Sequence, residues 1–389
     1  MFRKSVSEKD RALAVLPRKI RNFVKSIEGY DTLTEIVIDL GRPAVARYYH
    51  DGQAYTPELQ PDHTVTKRDI NHVMRRVSKV YDNNRAGIYG TLHRVAVLRD
   101  RSGTVTGITI RIARHIEDVL VTIQDIIAEG KSILLVGPPG TGKTSKLRSA
   151  CNLLANTYDK RVMIVDTSNE IAGDLESPHY SVGMSRRIMV PRKEKQADVM
   201  IEAIENHTPE VIVIDEISLE QEARAALTCA ERGVQLLATV HGNNLDSLLY
   251  NFPVNILLGG IDTVTLSDAE SKRRGTSKTV PERKVKAVFD VLVELQDFDQ
   301  VAIYHKLEEC VDAKLRGQKV LPEIRRSDKK GGYLSIQKFD IKEASVPKDT
   351  ENERHTYNRH DEMYQEKNQY GRRTDSEASR KGRNNKRRR

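Results

Sequence analysis

The chain is poor in cysteine and has no long hydrophobic run. Its 389 residues contain three cysteines, Cys151, Cys229 and Cys310, which are far apart in the sequence. Neither a zinc site nor a disulfide framework has this spacing, so we expect a reducing compartment. No apolar run approaches the roughly 20 residues that cross a bilayer. The N-terminus shows no apolar signal block either, so we expect no integral membrane segment, signal peptide or transit peptide.

Charge, by contrast, is plentiful. Charged residues make up 31% of the sequence, and the formal net charge is +9. A basic surface attracts anions, so nucleic acid and an anionic membrane surface are both candidate partners. The length of the chain predicts two or three domains and excludes a single small module.

One short motif predicts the class of enzyme. Residues 137–144 read Gly-Pro-Pro-Gly-Thr-Gly-Lys-Thr and follow the apolar run Ser132-Ile-Leu-Leu-Val136. A buried strand, a glycine-rich loop and a helix in this order form a P-loop, where backbone N–H groups and the helix N-terminus bind phosphates. The predicted substrate is ATP and the predicted cofactor is Mg²⁺. The expected nucleotide-binding residues are Gly137, Pro138, Pro139, Gly140, Thr141, Gly142, Lys143, Thr144 and Ser145.

Two of these side chains have particular expected roles. Lys143 would neutralise phosphate charge during catalysis, and Thr144 would hold magnesium. The alternative, a Gly-Pro turn before an ordinary helix, leaves Lys143 unexplained. A nucleotide site is therefore the better interpretation.

A second motif supplies the acids that phosphoryl transfer needs. Val211-Ile-Val-Ile-Asp-Glu216 resembles a Walker B element, with four apolar residues before two acids. We expect its strand to lie next to the P-loop strand. Asp215 would bind magnesium through its water shell, and Glu216 would polarise the attacking water.

Acids also follow the predicted strand 161–165. Open α/β sheets bind ligands at the carboxyl ends of their strands, so Asp166 or Glu170 is a further candidate for positioning water. Because one base suffices, we favour Glu216 and keep Glu170 as its close rival. The connection at 167–195 is long, which is typical of functional loops.

The predicted strand 235–240 contributes two more candidates. Thr239 and His241 lie where polar residues would sense the γ-phosphate. Capping of a helix before Asn244 is nearly as good an interpretation of both residues.

Several arginines are candidates for contact with the nucleotide. Arg111 and Arg114 end a predicted N-terminal hairpin and would reach a nucleotide between two domains. A basic cluster further along is either an arginine finger for a neighbouring subunit or a solvated face. It consists of Arg273, Arg274 and Arg283.

Hydrophobic periodicity divides the chain. Alternation predicts strands at 34–40 and 45–49 and a hairpin over 91–112, and helical spacing predicts helices at 5–26 and 67–80. From about residue 116, apolar strands alternate with helical segments, which predicts an α/β fold with a parallel sheet covered on both faces. The expected divisions are an N-terminal helical extension (1–29), a small α+β domain (30–114), a P-loop ATPase core (115–296), a C-terminal helix and strand appendage (297–345) and a basic tail (346–389).

The tail has a distinct composition. It contains 13 Lys or Arg and 8 Asp or Glu, with almost no aliphatic residues. Such a segment buries too little apolar surface to fold, so we expect it to be disordered. It either solvates the protein or captures nucleic acid or anionic lipid by charge.

Six sequence blocks resemble the plastid-encoded and cyanobacterial AAA-type ATPase family, which is similar in turn to the stage III sporulation protein AA ATPase. The resemblance covers about residues 30–320. The blocks are Asp82-Asn-Asn-Arg-Ala-Gly87, Thr91-Leu-His-Arg94, Val165-Asp-Thr-Ser-Asn-Glu-Ile-Ala-Gly173, Val199-Met-Ile-Glu-Ala-Ile-Glu-Asn-His207, Ala230-Glu-Arg-Gly-Val-Gln235 and Gly259-Gly-Ile261.

The resemblance implies a RecA-like core akin to secretion-system ATPases, working as a ring. By position, it assigns the nucleotide loop, the Walker B acids Asp215 and Glu216, the acid Glu170, and the switch residues Thr239 and His241. Many family members continue into a single-stranded nucleic-acid-binding module marked by Arg, three residues and His. Residues 346–389 lack that spacing.

The leading hypothesis is a Mg²⁺-dependent ATPase that works as a homo-oligomeric ring such as a hexamer. One alternative is an ATP-gated protein that binds single-stranded nucleic acid through its basic tail. Another is a peripheral membrane ATPase for assembly or secretion. The expected compartment is the plastid stroma or the bacterial cytoplasm.

Overall fold

Two sheets organise the described residues, a six-stranded one and a nine-stranded one. The computed structural model describes residues 7–27, 30–50, 53–55, 63–81, 83–113, 119–328 and 331–342. The predicted tail at 346–389 and Arg114 lie outside the described residues. Within the described part, no helix is both long and apolar enough to cross a bilayer.

An antiparallel six-stranded sheet organises the N-terminal part. Its strand order is β3-β2-β1-β6-β5-β4. The predicted strand pair at 34–49 and the predicted hairpin at 91–112 are confirmed, whereas the short strands β3 and β4 were missed. The elements are α1 (Glu8–Ala14), α2 (Arg18–Ser26), a 3₁₀ turn (Tyr30–Thr32), β1 (Leu33–Asp39), β2 (Val45–His50), β3 (Gln53–Tyr55), α3 (Lys67–Met74), β4 (Arg85–Gly87), β5 (Arg94–Arg99) and β6 (Val105–Arg111).

The predicted N-terminal helix is two helices, because Pro17 stands at the start of α2 and interrupts the first one. Proline lacks the N–H that a continuous helix needs. The apolar side chains of both helices are buried in the same hydrophobic cluster as the sheet. They include Leu13, Ile20 and Val24. The apolar face therefore packs within the protein.

Helix α3 begins at a capping box. The Thr66 hydroxyl accepts the backbone N–H of Asp69, and the Asp69 carboxylate accepts the N–H of Thr66 at 2.9 Å. These bonds satisfy two donors that a helix start leaves open. The helix ends at Met74, six residues earlier than the periodicity predicted.

The second part of the chain is built around a nine-stranded mixed sheet. Its elements are α4 (Gln124–Ala128), β7 (Ile133–Val136), α5 (Lys143–Asn152), a π-helical turn (Leu153–Thr157), β8 (Val162–Asp166), a 3₁₀ turn (Tyr180–Val182), β9 (Arg186–Met189), a 3₁₀ turn (Lys193–Lys195), α6 (Gln196–His207), β10 (Val211–Ile217), α7 (Glu220–Glu231), β11 (Gln235–Val240), α8 (Leu245–Leu249), a 3₁₀ turn (Asn255–Leu258), β12 (Ile261–Thr265), α9 (Asp268–Arg274), β13 (Thr279–Arg283), β14 (Val291–Leu295), β15 (Gln300–Tyr304), α10 (Leu307–Leu315), β16 (Lys319–Leu321), β17 (Glu323–Ser327), β18 (Tyr333–Gln337) and β19 (Asp340–Lys342).

The strand order of this sheet is β18-β17-β15-β14-β7-β11-β10-β8-β9. The six strands from β14 to β9 run parallel, and β15, β17 and β18 continue the sheet in antiparallel pairs. The predicted α/β fold with a parallel sheet is confirmed. The ribbon β12–β13 and the pair β16–β19 form separate two-stranded sheets.

The Walker B strand is not next to the P-loop strand, contrary to our expectation. β7 pairs with β11 and β14, and β10 pairs with β11 and β8. Strand β11 therefore separates the two motifs. Sequence alone missed this because apolar runs do not specify which parallel strands become neighbours.

Both faces of the large sheet are covered, as predicted. Alternate residues of each central strand enter different hydrophobic clusters, as Ile133 and Leu134 do. Helices α4 and α5 supply apolar residues to one cluster, and α6, α7 and α10 supply them to the other. This packing fixes the carboxyl ends of the parallel strands, where the site lies.

Candidate functional site

The predicted P-loop joins β7 to α5. Gly142 has φ +90° and precedes the first residue of the helix, a left-handed conformation that favours glycine. A Cβ on Gly137 would lie 2.6 Å from the Leu295 carbonyl, so this position also needs glycine. The Gly137 N–H donates to the Gly242 carbonyl at 2.9 Å, which ties the loop to the exit of β11.

Lys143 lies over its own loop. Its ammonium donates to the carbonyls of Gly137 and Pro138, the latter at 3.0 Å. The Thr141 hydroxyl donates to the same Pro138 carbonyl at 2.9 Å. Burial lowers the pKa of Lys143, and the carboxylate of Glu216 opposes this shift. The predicted lysine, Lys143, and the favoured base, Glu216, therefore interact electrostatically.

The two acids at the exit of β8 have different surroundings. Asp166 is fully buried, and its carboxylate accepts the backbone N–H groups of Glu170 at 3.0 Å and Ala172 at 2.8 Å. It thus holds the loop rather than facing solvent. Glu170 is partly exposed, and its Oε2 lies 3.5 Å from the Thr144 hydroxyl. Of the two candidates, Glu170 is the one that faces the P-loop.

Asp215 is buried at the end of β10. Its Oδ2 accepts the Ser168 N–H at 3.3 Å. Burial raises the pKa of the Asp215 carboxyl well above its usual value, and neighbouring carboxylates act in the same direction. The Thr239 hydroxyl donates to the Asp215 backbone carbonyl at 2.6 Å. Thr239 therefore positions Asp215 through its backbone.

Glu216 is held by contacts from two directions. His241 Nε2 lies 3.2 Å from Glu216 Oε1, and His241 is largely exposed. Gln196 on α6 donates to the Glu216 backbone carbonyl at 2.7 Å. Asn244 itself caps α8 by accepting the Ser247 N–H. The geometry therefore links His241 to Glu216, and Asn244 caps the helix.

Arg94 contacts the site from the N-terminal sheet. On strand β5, its guanidinium donates to the Ser168 carbonyl at 2.7 Å and to Glu170 Oε1 at 3.0 Å. Its Nε lies 3.6 Å from Asp174, and the side chain is only 14% exposed. Arg85 on the neighbouring strand donates to the same Ser168 carbonyl at 3.3 Å. Sequence reasoning noted Arg94 within a family block but missed this role.

A cleft of about 280 Å³ lies between the N-terminal sheet and the start of α5. Arg111 lines it, as predicted, but 69% of its side chain is exposed and it pairs with Glu35. The other polar residues that line it include Arg94, Thr144, Ser145, Arg148 and Glu170. The cleft places the predicted Thr144 and Ser145 opposite the N-terminal sheet.

The predicted basic cluster lies away from these residues, on and beside the ribbon β12–β13. Arg273 and Arg274 both pair with Glu270, at 2.7 and 2.6 Å. Arg283 pairs with Glu308 and Asp312, and its side chain is 15% exposed. The cluster is thus three ion-paired side chains rather than a free basic face.

The predicted long connection at 167–195 is partly regular structure. It contains β9, which pairs with β8, and the 3₁₀ turn at Tyr180–Val182. Arg187 donates to the carbonyls of Gly173, Leu175 and Glu176 and so stabilises the connection. Its role in the structure is to hold the loop that carries Glu170.

Comparison with known proteins places this site in a family. Residues 6–258 match the family described as "Sporulation stage III, protein AA". The chain is 42% identical over 325 residues to the uncharacterized protein ycf45 of Porphyra purpurea, covering 84% of this chain and 57% of that one. It is 43% identical over 319 residues to the protein SEEDLING PLASTID DEVELOPMENT 1 of Arabidopsis thaliana, covering 82% and 46%. The chain thus spans about half the length of these two relatives.

Among solved structures, the pilus retraction motor PilT with bound ADP aligns with 83% of this chain and 83% of its own, at 19% identity and a TM-score of 0.46. The family match covers the N-terminal sheet, the P-loop and the acids at the exits of β8 and β10. The chain therefore belongs to the sporulation stage III protein AA family of P-loop proteins.

Proposed function

We propose that this protein is a Mg²⁺-dependent ATPase that hydrolyses ATP to ADP and phosphate. The observation that carries the proposal is a convergence at one edge of the large sheet. There, Glu170 Oε2 lies 3.5 Å from the Thr144 hydroxyl of the loop, and the carboxylate of Glu216 acts electrostatically on Lys143. A phosphate-binding loop facing two carboxylates is the arrangement that phosphoryl transfer to water requires.

The loop supplies the binding energy for the phosphates. Backbone N–H groups and the N-terminus of α5 attract the phosphate oxygens. Pro138 and Pro139 donate no N–H, so Gly140 to Thr144 would carry the contacts. Lys143 would exchange its two carbonyl partners for phosphate oxygens, which are stronger acceptors because they are charged.

The donor set of this site suits magnesium. Asp215 offers a buried carboxylate and Thr144 a hydroxyl, and among the described residues no group of three or more His, Cys, Asp or Glu side chains forms a metal cage. Mg²⁺ is commonly bound by one or two protein ligands together with waters and phosphates. When bound, it would neutralise charge on the phosphate oxygens.

Glu216 is the proposed general base. It would accept a proton from the attacking water, and His241, 3.2 Å away, would fix its orientation. Glu170 forms an ion pair with Arg94, and it would have to leave this pair before it could accept a proton from water. We therefore assign proton acceptance to Glu216. We assign to Glu170 the role of coupling the N-terminal sheet to the nucleotide site.

A direct test is phosphate release by the purified full chain with ATP. We expect turnover that needs Mg²⁺ and stops with a chelator. Lys143→Ala should lower kcat/KM at least about 100-fold, since one electrostatic contact to the reacting group is worth about that much. Lys131→Ala is the control, because Lys131 is a half-exposed lysine paired with Glu129. Equal turnover by both variants would contradict the proposal.

We further propose that hydrolysis drives movement of the N-terminal sheet within a homo-oligomeric ring, in a plastid. The name of the Arabidopsis relative supports the plastid location, and the Arg94 contact to Glu170 supports the coupling. Light scattering with ATP and the Glu216→Gln variant tests assembly. A monomer under all nucleotide conditions would overturn the ring.

A second candidate function is nucleic-acid binding through the tail at 346–389. The tail contains 13 basic and 8 acidic residues, and this excess of positive charge favours nucleic-acid binding. Binding through phosphates weakens steeply with salt. Affinity for a single-stranded oligonucleotide should fall with salt and on deleting the tail, and salt-insensitive binding would remove this candidate.

A further inference from the structure

The turn between β14 and β15 carries an exposed aromatic ring beside the P-loop. Strand β14 runs parallel to β7, with Glu294 opposite Val136, so both strands end at the same edge of the sheet. Phe298 follows on the turn and is 38% exposed. A Cβ built on Gly142 would lie 3.3 Å from two carbons of the Phe298 ring. The ring therefore lies directly against the loop.

The turn is fixed by several hydrogen bonds. The N–H groups of Gln296 and Asp297 both donate to the Gln300 carbonyl, at 3.1 and 3.2 Å. The Gln300 side-chain amide donates to the Gln296 side chain at 2.6 Å, and Arg326 donates to Gln300 Oε1 at 2.9 Å. An aromatic ring on such a turn is pre-organised, so little conformational entropy opposes the binding of a flat partner.

The position of the ring indicates what that partner is. A triphosphate in the loop places its α-phosphate near the start of α5, and the ribose and base extend beyond it. Phe298 lies against Gly142, the residue before that helix. Aromatic side chains stack on nucleobases, and alanine substitution costs about 1–3 kcal/mol per base.

The polar neighbours of Phe298 are engaged within the protein. The Asp297 Oδ1 accepts the Phe298 N–H at 2.6 Å. The Asp299 carboxylate acts electrostatically on Lys146, a buried lysine whose ammonium donates to the Val119 carbonyl at 2.5 Å. The exposed aromatic side chain that the turn offers beside the loop is therefore Phe298. Stacking tolerates different bases because every base has a π face.

We propose that Phe298 forms a base-stacking subsite of the nucleotide site, which recognises a nucleobase by its ring face and discriminates only weakly between adenine and guanine. The inference rests on the proposed function, because it presumes a nucleotide in the loop. It adds a base-contacting residue outside the P-loop and outside the acids. Purines, with larger rings, should bind more tightly than pyrimidines.

The absence of tryptophan from the sequence gives a clean test. Phe298→Trp in the full chain introduces one indole, whose fluorescence a stacked base should quench. ATP and GTP should quench it strongly and CTP more weakly. Tripolyphosphate, which lacks a base, should bind without quenching.

Phe298→Ala provides the second measurement, by calorimetry. We expect its Kd for ATP to rise about tenfold, equivalent to about 1.4 kcal/mol. Its Kd for tripolyphosphate should stay within about twofold, since the phosphate contacts are unchanged. Phe252→Ala is the control, because Phe252 is an exposed aromatic outside this turn.

The outcomes separate the two proposals. Equal ATP affinity in the wild type and Phe298→Ala, without indole quenching, would overturn the stacking subsite while leaving the ATPase intact. Equal losses for ATP and tripolyphosphate would overturn it as well, because they indicate a damaged loop. Failure of the wild type to bind either ligand would overturn the proposed function itself.

Discussion

The exits of β8 and β10 each present one glutamate to the P-loop, but the two are held differently. Glu170, at the exit of β8, contacts Arg94 of the N-terminal sheet and Thr144 of the loop. Glu216, at the exit of β10, contacts His241 from the adjacent strand exit of the same sheet. One acid is contacted by a side chain of the N-terminal sheet, and the other by a side chain that follows a strand of the large sheet. The site thus combines Glu216, which is contacted from within the large sheet, with Glu170, which is contacted from the N-terminal sheet.

The largest expected effect on kcat comes from substitution of Glu216. Glu216→Gln removes the proposed proton acceptor and should lower kcat roughly 10²- to 10⁴-fold. The Kd for ATP should change little, because the amide is isosteric. Single-turnover phosphate release and equilibrium binding measure the two quantities. Unchanged kcat would remove Glu216 as the base.

Glu170→Gln should have the next largest effect. The substitution weakens the contacts to Arg94 and Thr144 but leaves the proposed base in place, so we expect kcat to fall about 10- to 100-fold. A fall larger than that of Glu216→Gln, measured in the same assay, would reverse the assignment of the base.

Arg94→Ala tests the contact between the N-terminal sheet and Glu170. It removes the cation that holds Glu170, and misplacement of such a group should cost roughly tenfold in kcat. Arg94→Lys should restore activity only in part, since lysine lacks the planar fork that reaches Ser168 and Glu170 together.

The matched control for Arg94→Ala is Arg99→Ala. Arg99 lies on the same strand but donates to Asn84 and to the Gly103 carbonyl within the N-terminal sheet. We expect near wild-type kcat for Arg99→Ala. If both variants lose activity equally, the effect belongs to the stability of the sheet rather than to the contact with Glu170.

The smallest effect on activity is expected at Glu8, which braces α1 against the connection that follows β8. Burial raises the pKa of Glu8, but hydrogen bonds from His179 and Tyr180 and a charge interaction with His179 outweigh it and lower the pKa from 4.5 to about 2. A lowered carboxyl pKa stabilises the fold above pH 4.5, and this stability is lost as pH falls towards 2.

Glu8→Gln should therefore lower the free energy of unfolding by about 2–3 kcal/mol at neutral pH. The difference from the wild type should shrink as pH falls below about 4.5, when Glu8 is protonated in the unfolded chain. Denaturant unfolding at several pH values measures this. Glu129→Gln, at a half-exposed surface pair, is the control. A difference that is independent of pH would exclude the ionised carboxylate of Glu8 as its cause.

Much of this structure was predictable from local patterns. The P-loop between β7 and α5, the pairing of β1 with β2 and the hairpin of β5 with β6 all follow from short runs of sequence. Their signals lie within a few residues, because glycine spacing and apolar alternation are local properties. The acids at positions 170 and 216 were found for the same reason.

The features that were missed depend on tertiary structure. The insertion of β11 between β7 and β10 is a property of the strand order, which apolar runs do not encode. The approach of Arg94 to Glu170 joins residues 76 positions apart. The basic residues Arg273, Arg274 and Arg283 were predicted as a cluster, but their acidic partners are assigned only by the folded chain.

The most direct test of the account is a crystal structure of the Glu216→Gln variant with Mg²⁺ and ATP. The account predicts the triphosphate in the loop at 137–144, with Lys143 on its terminal phosphate and the residue 216 side chain facing that phosphate. Nucleotide bound elsewhere, or an ordered triphosphate with residue 216 turned away from its terminal group, would contradict it.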